Sequence, residues 1–191
     1  AEARRSVEAL EAQFDKALGP HTRRWAYFQL LPHRALLHKL MTHGVPRIES
    51  RLLNWTLPIV VLVIRKALRI TPEGAIRSML QVRAVFSEVD ALLADGRRYL
   101  VADRFTAADL AFAALASPVL LPERGIAAYP AVQEVPGAMR ETIEQLRDTS
   151  AHDVEQLMTS FWTRLQGGDE KLAALELFEL HEENCLDLGR I

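Results

Sequence analysis

The residues best suited to contact a ligand lie between Arg23 and Phe28, where the sequence reads Arg-Arg-Trp-Ala-Tyr-Phe. Trp25 and Phe28 are three residues apart, so on a helix they share a face on which an apolar ligand can rest. The adjacent Arg24 carries a guanidinium that can hold a carboxylate. We therefore take Arg24, Trp25 and Phe28 as candidate substrate-binding residues. The alternative is that the aromatic side chains are core and the arginines are solvated, as is usual for such spacing.

Residue types that serve in metal sites and in nucleophilic catalysis are present, but their spacing is poor. His33, His38 and His43 are five residues apart, whereas two ligands on one helix need a spacing of three or four. Cys185 lies among three acidic residues, whose charges oppose formation of the reactive thiolate. The chain has no Walker motif and no Gly-x-Gly-x-x-Gly segment. We predict no metal site and no catalytic residue.

The composition is that of an ordinary globular domain, with 49% hydrophobic and 25% charged residues. The net charge is −2 and no Lys/Arg cluster occurs, so we expect no nucleic-acid partner. The single cysteine fits a reducing cytoplasm. The first residues, AEARRSVEALEAQF, contain no apolar secretory core, so we expect no signal peptide. We interpret this start as the interior of a longer protein.

Helical periodicity recurs along the chain, and strand signals are nearly absent. The predicted helices are 4–31 with an interruption at Pro20, 33–43, 46–69 with a kink near Pro58, 72–94, 107–121, 136–147, 153–165 and 169–184. For the helix 72–94 the pattern predicts a buried stripe of Ile76, Leu80, Val82, Phe86, Val89, Leu92 and Leu93. Gly96 follows the end of that helix.

The most informative segment runs from Tyr99 to Phe112 and reads YLVADRFTAADLAF. Thr106 can cap the following helix, and Asp109 at its third position can return a bond to the backbone of Thr106. The residues after Asp109 are apolar on every side, which is typical of a fully buried central helix. We therefore predict a structural cap formed by Thr106 and Asp109.

This segment resembles the buried helix start of the C-terminal domain of glutathione transferases, which has the same Ser/Thr-x-x-Asp cap after a Leu-Val-Gly-Asp-like turn. Ala102 departs from that pattern, since the family usually has glycine there, which suggests that this position need not take a positive φ. The enlarged connection over 32–70 is similar to the branch of ganglioside-induced differentiation-associated proteins and to a bacterial group. The resemblance covers about 4–150 and is strongest over 84–121.

The resemblance implies an all-α fold, a glutathione transferase C-terminal-like helical bundle over 1–150, followed by a helical tail over 151–191. In that family a thioredoxin-like domain, which we do not find in this sequence, holds the co-substrate glutathione and supplies the catalytic residue. The helical domain supplies an apolar wall for a small hydrophobic electrophile and part of a homodimer surface. The alternative implied by other members is a non-catalytic scaffold or a membrane-adjacent interaction domain, which the enlarged connection favours.

The apolar run Leu57–Ile64 has two interpretations. With its apolar neighbours it is about a dozen residues long, which is too short to span a bilayer. We expect it to be buried in the core or in a dimer contact. The alternative is an interfacial helix anchored by Trp55 and by the cations Arg65 and Lys66 that follow the run.

Overall fold

In the computed structural model the described residues are 2–42, 47–122 and 129–166, with backbone alone for 47–54 and 161–166. This part of the chain is helical and contains no strand, as the sequence predicts. The predicted helix 169–184, His43 and Cys185 lie outside the described residues. The helices are α1 (Glu2–Ala17), α2 (Gly19–Leu30), α3 (Arg34–Met41), α4 (Arg47–Ala67), α5 (Pro72–Leu93), α6 (Ala107–Leu120), α7 (Gly137–Arg147) and α8 (Ser150–Gln166), with a 3₁₀ turn at Val132–Glu134.

The predicted long helix over 4–31 is two helices, and the break comes slightly before the proline. Leu18 separates α1 from α2, with φ −110° and ψ −57°. Pro20 lies in the first turn of α2, where a residue without an N–H costs no helical hydrogen bond. The proline therefore starts the second helix and does not bend the first.

The inward side of α5 is partly different from the predicted stripe. Val82, Phe86, Val89 and Leu93 are buried as expected, but Ile76 and Leu80 are each 63% exposed. Leu92 is also exposed. The side that packs inward begins with the small residues Gly74, Ala75 and Ser78. Because these residues are small, α5 can pack closely against α2. A prediction based on hydrophobicity alone does not detect this effect of size.

Helix α6 lies at the centre of the bundle, where it contacts α1, α2, α7 and α8. The Phe112 ring packs against Phe14 of α1 and Phe86 of α5, each with ring centroids 5.3 Å apart. All three phenylalanines are at most 2% exposed. The central position predicted for this helix is confirmed, but its full burial is not, since Leu110, Ala111 and Leu115 are half-buried and Ala114 is exposed.

Helix α8 begins at the boundary predicted between bundle and tail, and it packs on α5 and α6. The backbone N–H of Ala151 donates to the Asp90 carboxylate of α5 at 2.7 Å, which satisfies one of the unpaired N–H groups of the helix start. Ala151 and Val154 belong to the same apolar core as α6. The first sixteen residues of the predicted tail are thus joined to the bundle.

Helix α4 covers a smaller apolar cluster formed by Leu31, Leu37 and Leu57. Leu57 is 1% exposed, and Val61 and Ile64 are half-buried against this cluster. Ile59, Leu62 and Val63 lie on the opposite side of the helix and are 59–66% exposed. The expectation of burial in the core is therefore wrong for these three residues, and burial in a dimer contact stays a prediction.

Candidate functional site

An apolar groove lies between α2 and α5 and includes two of the three candidate binding residues. It encloses about 230 Å³ and is lined by Trp25, Phe28, Gln29, Ala75, Ile76, Met79 and Leu80. Trp25 is 4% exposed and forms the inner wall, whereas Ile76 and Leu80 form an exposed rim. A dry apolar cavity of about 150 Å³ accommodates benzene. The groove therefore has room for one substituted aromatic ring.

Arg24, the third candidate, is not among the groove-lining residues. Its Nε donates to the carbonyl of Leu68 at 3.0 Å, and its Nη1 donates to Oγ of Ser78 at 3.2 Å. Leu68 follows the last residue of α4, where carbonyl groups lack helical partners and a cation is favoured. Arg24 thus joins α2 to the end of α4 and to α5. Its role as a carboxylate ligand stays a prediction.

A small polar cluster surrounds Ser78, whose side chain is fully buried beside the groove. Nδ1 of His21 lies 3.1 Å from the Ser78 hydroxyl, which also accepts from Arg24. The serine hydroxyl has two acceptor lone pairs and one proton, so the imidazole tautomer decides which partner donates in the His21–Ser78 bond. Burial lowers the pKa of His21, and the charge of Arg24 lowers it further. This cluster fixes α2 against α5 and so sets the width of the groove.

The predicted cap at Thr106 and Asp109 is present as a capping box at the start of α6. Oδ2 of Asp109 accepts from the backbone N–H of Thr106 at 2.8 Å and from its hydroxyl at 2.6 Å. Oδ1 accepts from the N–H of Leu100 at 2.8 Å, which ties the preceding loop to the helix. Asp109 is fully buried, and burial raises its pKa against the opposing effect of these three donors.

The loop before α6 has a positive φ at Ala102, where the sequence suggested that none was needed. This residue has φ +58°, in the left-handed region that disfavours any side chain with a Cβ. Alanine therefore adopts here a conformation that glycine adopts at lower cost.

Sequence reasoning missed an arginine at the other end of α6. Nε of Arg147 donates to the carbonyl of Leu120 at 2.9 Å, and its Nη2 donates to that of Leu121 at 2.8 Å. Leu121 ends the helix in the left-handed conformation with φ +50°. A residue that is 26 positions away cannot be assigned to a helix end from spacing, so no sequence signal would have found this contact.

A second pair of titratable groups lies on α8, where Glu155 is buried and His152 is half-buried. Glu155 is 2% exposed and accepts from the Thr159 hydroxyl at 2.8 Å, while Nδ1 of His152 lies 3.6 Å from the other carboxylate oxygen. Burial raises the pKa of Glu155 and lowers that of His152. Both shifts favour the uncharged forms, and neither residue lines the groove.

Among the residues whose side chains the structure describes, no three His, Cys, Asp or Glu are grouped so that they could hold a metal ion. In the same part of the chain, no helix is long and apolar enough to cross a membrane. No family model, curated protein or solved structure matches this chain. The site must therefore be interpreted from its own geometry and chemistry.

Proposed function

We propose that this chain is the acceptor-binding helical domain of a glutathione transferase-like protein. The groove between α2 and α5 holds a small hydrophobic electrophile, and a thioredoxin-like domain in the intact protein supplies glutathione and the catalytic residue. The intact protein then conjugates or reduces the electrophile as a homodimer in a reducing cytoplasm. The chain by itself binds the acceptor and has no catalytic residue of its own.

The observation that carries this proposal is the lining of the groove. Six of its seven lining residues are apolar, and Gln29 supplies the one polar side chain able to orient a ligand. The exposed rim residues Ile76 and Leu80 leave the groove accessible from solvent. Helix α6, which starts with the Thr106–Asp109 box, packs against α2 and so supports its inner wall. These features support the proposal, since the resemblance implies an apolar acceptor wall in the helical half of such a protein.

The test is direct binding of an aryl halide, 1-chloro-2,4-dinitrobenzene, to the chain without glutathione. The nitroaromatic ring should quench tryptophan fluorescence because Trp25 forms the inner wall of the groove. The expected Kd is on the order of 0.1–1 mM, as suits a ligand with about a dozen heavy atoms. Calorimetry provides an independent measure of the same constant.

Two variants at equally exposed leucines make the test specific. Leu80→Ser removes part of the groove rim and should weaken binding about three- to tenfold. Leu62→Ser on α4 makes the same change at a side chain that is 66% exposed but lies outside the groove, and it should leave the Kd unchanged. Absence of saturable binding, or equal effects of both substitutions, would overturn the proposal.

A further inference from the structure

Helix α4 presents a second apolar surface that the groove does not use. The exposed fractions are 85% for Trp55, 64% for Ile59, 66% for Leu62 and 59% for Val63. Their spacing of four, seven and eight residues from Trp55 places them on one side of the helix, opposite Leu57 and Ile64. We call these four residues the α4 face. Large contiguous apolar surfaces on a protein mark a binding site.

The stretch of sequence that contains the α4 face carries charges of one sign. From Ser50 to Pro72 there are four basic residues, Arg51, Arg65, Lys66 and Arg69, and no acidic residue. The whole chain carries −2, so the remainder of the molecule carries −6. Arg65, Lys66 and Arg69 are all exposed, at the end of α4 and just beyond it. A partner that binds this segment should therefore combine an apolar surface with negative charge.

We propose that the α4 face docks on an anionic lipid surface, with α4 lying in the plane of the membrane. Trp55 and the cations at the other end of the face are about 16 Å apart along the helix, which places the apolar side chains between two interfacial anchors. The apolar side chains enter the boundary between headgroups and acyl chains, while Arg65 and Lys66 meet lipid phosphates. Leu57, on the opposite side of α4, stays packed on Leu31 and Leu37.

Charge disfavours a second copy of this chain as the occupant. Two α4 faces in contact would bring the exposed Arg65, Lys66 and Arg69 of each copy together, and the segment offers no carboxylate to pair with them. The 23 residues from Asp169 to Ile191, with seven acidic and two basic side chains, are complementary in charge and are the alternative occupant. An anionic bilayer offers phosphates to the basic residues and acyl chains to the apolar side chains at the same time.

The test is co-sedimentation of the full chain with vesicles of phosphatidylcholine alone and of phosphatidylcholine mixed with phosphatidylserine. Binding should be at least about tenfold stronger to the anionic vesicles and should fall at high salt, because the lipid contacts of Arg65 and Lys66 are screened. Tryptophan emission should shift to the blue on binding, and this shift should be lost in Trp55→Ser.

Substitutions separate the apolar and the electrostatic contributions. Leu62→Ser should reduce partitioning about tenfold, and Arg65→Gln with Lys66→Gln should reduce it about 30-fold. Leu80 is an equally exposed leucine on α5, outside the basic segment, so Leu80→Ser should leave vesicle binding unchanged. Circular dichroism spectra that match the wild type show that the variants are folded.

Three outcomes would overturn the proposal. The first is that the full chain ignores both vesicle types. The second is that Leu62→Ser turns a sedimenting dimer into a monomer without any vesicle binding, which would assign the face to a second copy. The third is that vesicles bind only a chain whose seven acidic residues after Gly168 are changed to amides, which would assign the face to that segment.

Discussion

At the scale of single residues, the most constrained side chain is Asp109. Its two carboxylate oxygens accept three hydrogen bonds in a fully buried position, and one of these bonds reaches the loop nine residues earlier. The sequence predicted the bond to Thr106 because a capping box is a local motif. It did not predict the bond to Leu100, which depends on how the loop folds back over the helix start.

Replacement of Asp109 by Asn should destabilise the domain by about 2–4 kcal/mol. The amide would direct an N–H group at one of the three donors that now face the carboxylate, so one buried donor loses its acceptor. Urea unfolding should show a lower midpoint with an unchanged slope. The control is Asp103→Asn in the same loop, where the side chain is exposed and the change should stay within about 0.5 kcal/mol. Equal midpoints for Asp109→Asn and wild type would contradict the observed bonding.

Ala102 provides a second residue-scale prediction, in the stabilising direction. Because its φ is +58°, Ala102→Gly should relieve backbone strain and raise the free energy of unfolding by about 0.5–1 kcal/mol. The matched control is Ala84→Gly at an exposed position inside α5, where the same change should cost about 1 kcal/mol. A loss of stability at both positions would show that residue 102 does not adopt the left-handed conformation in solution.

At the scale of elements, α4 is the informative helix because apolar residues occupy both of its sides. Leu57 and Ile64 pack on the bundle, and Ile59 and Leu62 face away from it. The sequence shows only a continuous apolar run, so periodicity cannot separate the side that is packed from the side that is open. The structure separates them because Leu31 and Leu37 lie on one side only.

A series of aspartate substitutions around α4 should reproduce this division. Leu57→Asp should cost about 3–5 kcal/mol, because it buries a carboxylate without a partner. Val61→Asp should cost about 1–3 kcal/mol, since this half-buried position lets the carboxylate reach water. Leu62→Asp should cost less than about 0.5 kcal/mol. Thermal unfolding of the three variants measures the order, and a large loss for Leu62→Asp would mean that the α4 face is covered in solution.

At the scale of the whole molecule, buried titratable groups make stability depend on pH. His21 and His152 have pKa values below the usual 6.5, mainly because they are partly removed from water. The unfolded chain therefore binds more protons than the folded chain as the pH falls below about 6.5, and the folded state loses stability there. Asp109 and Glu155 act in the opposite direction at lower pH, since burial raises their pKa values.

A variant with His21→Gln and His152→Gln should isolate the contribution of the histidines. Glutamine retains a hydrogen-bonding side chain but cannot be protonated in this range. The melting temperature of the wild type should fall more steeply between pH 7.5 and pH 5.5 than that of the variant. The reason is that the histidines of the unfolded chain take up protons near their ordinary pKa of 6.5, while the two folded-state histidines resist protonation. Parallel curves for the two proteins would show that neither histidine is shielded from protonation in the folded state.

The sequence by itself determined the all-helical fold, most helix limits to within a few residues, and the cap at Thr106 and Asp109. These features depend on hydrogen bonds and side chains that are three or four positions apart, so they can be recognised locally. The pairing of Trp25 and Phe28 on one helix side followed from the same periodicity.

Tertiary structure alone decided which sides of α4 and α5 are covered, and what the arginines contact. Arg24 meets residues 44 and 54 positions away, and Arg147 meets carbonyls 26 and 27 positions away. The groove exists because Ile76 and Leu80 stay exposed beside Trp25, while the smaller Ala75 and Ser78 turn inward. The side of α5 that faces α2 is the one with small residues, because it allows the two helices to approach most closely. This choice depends on α2, so it cannot be inferred from the sequence of α5 alone.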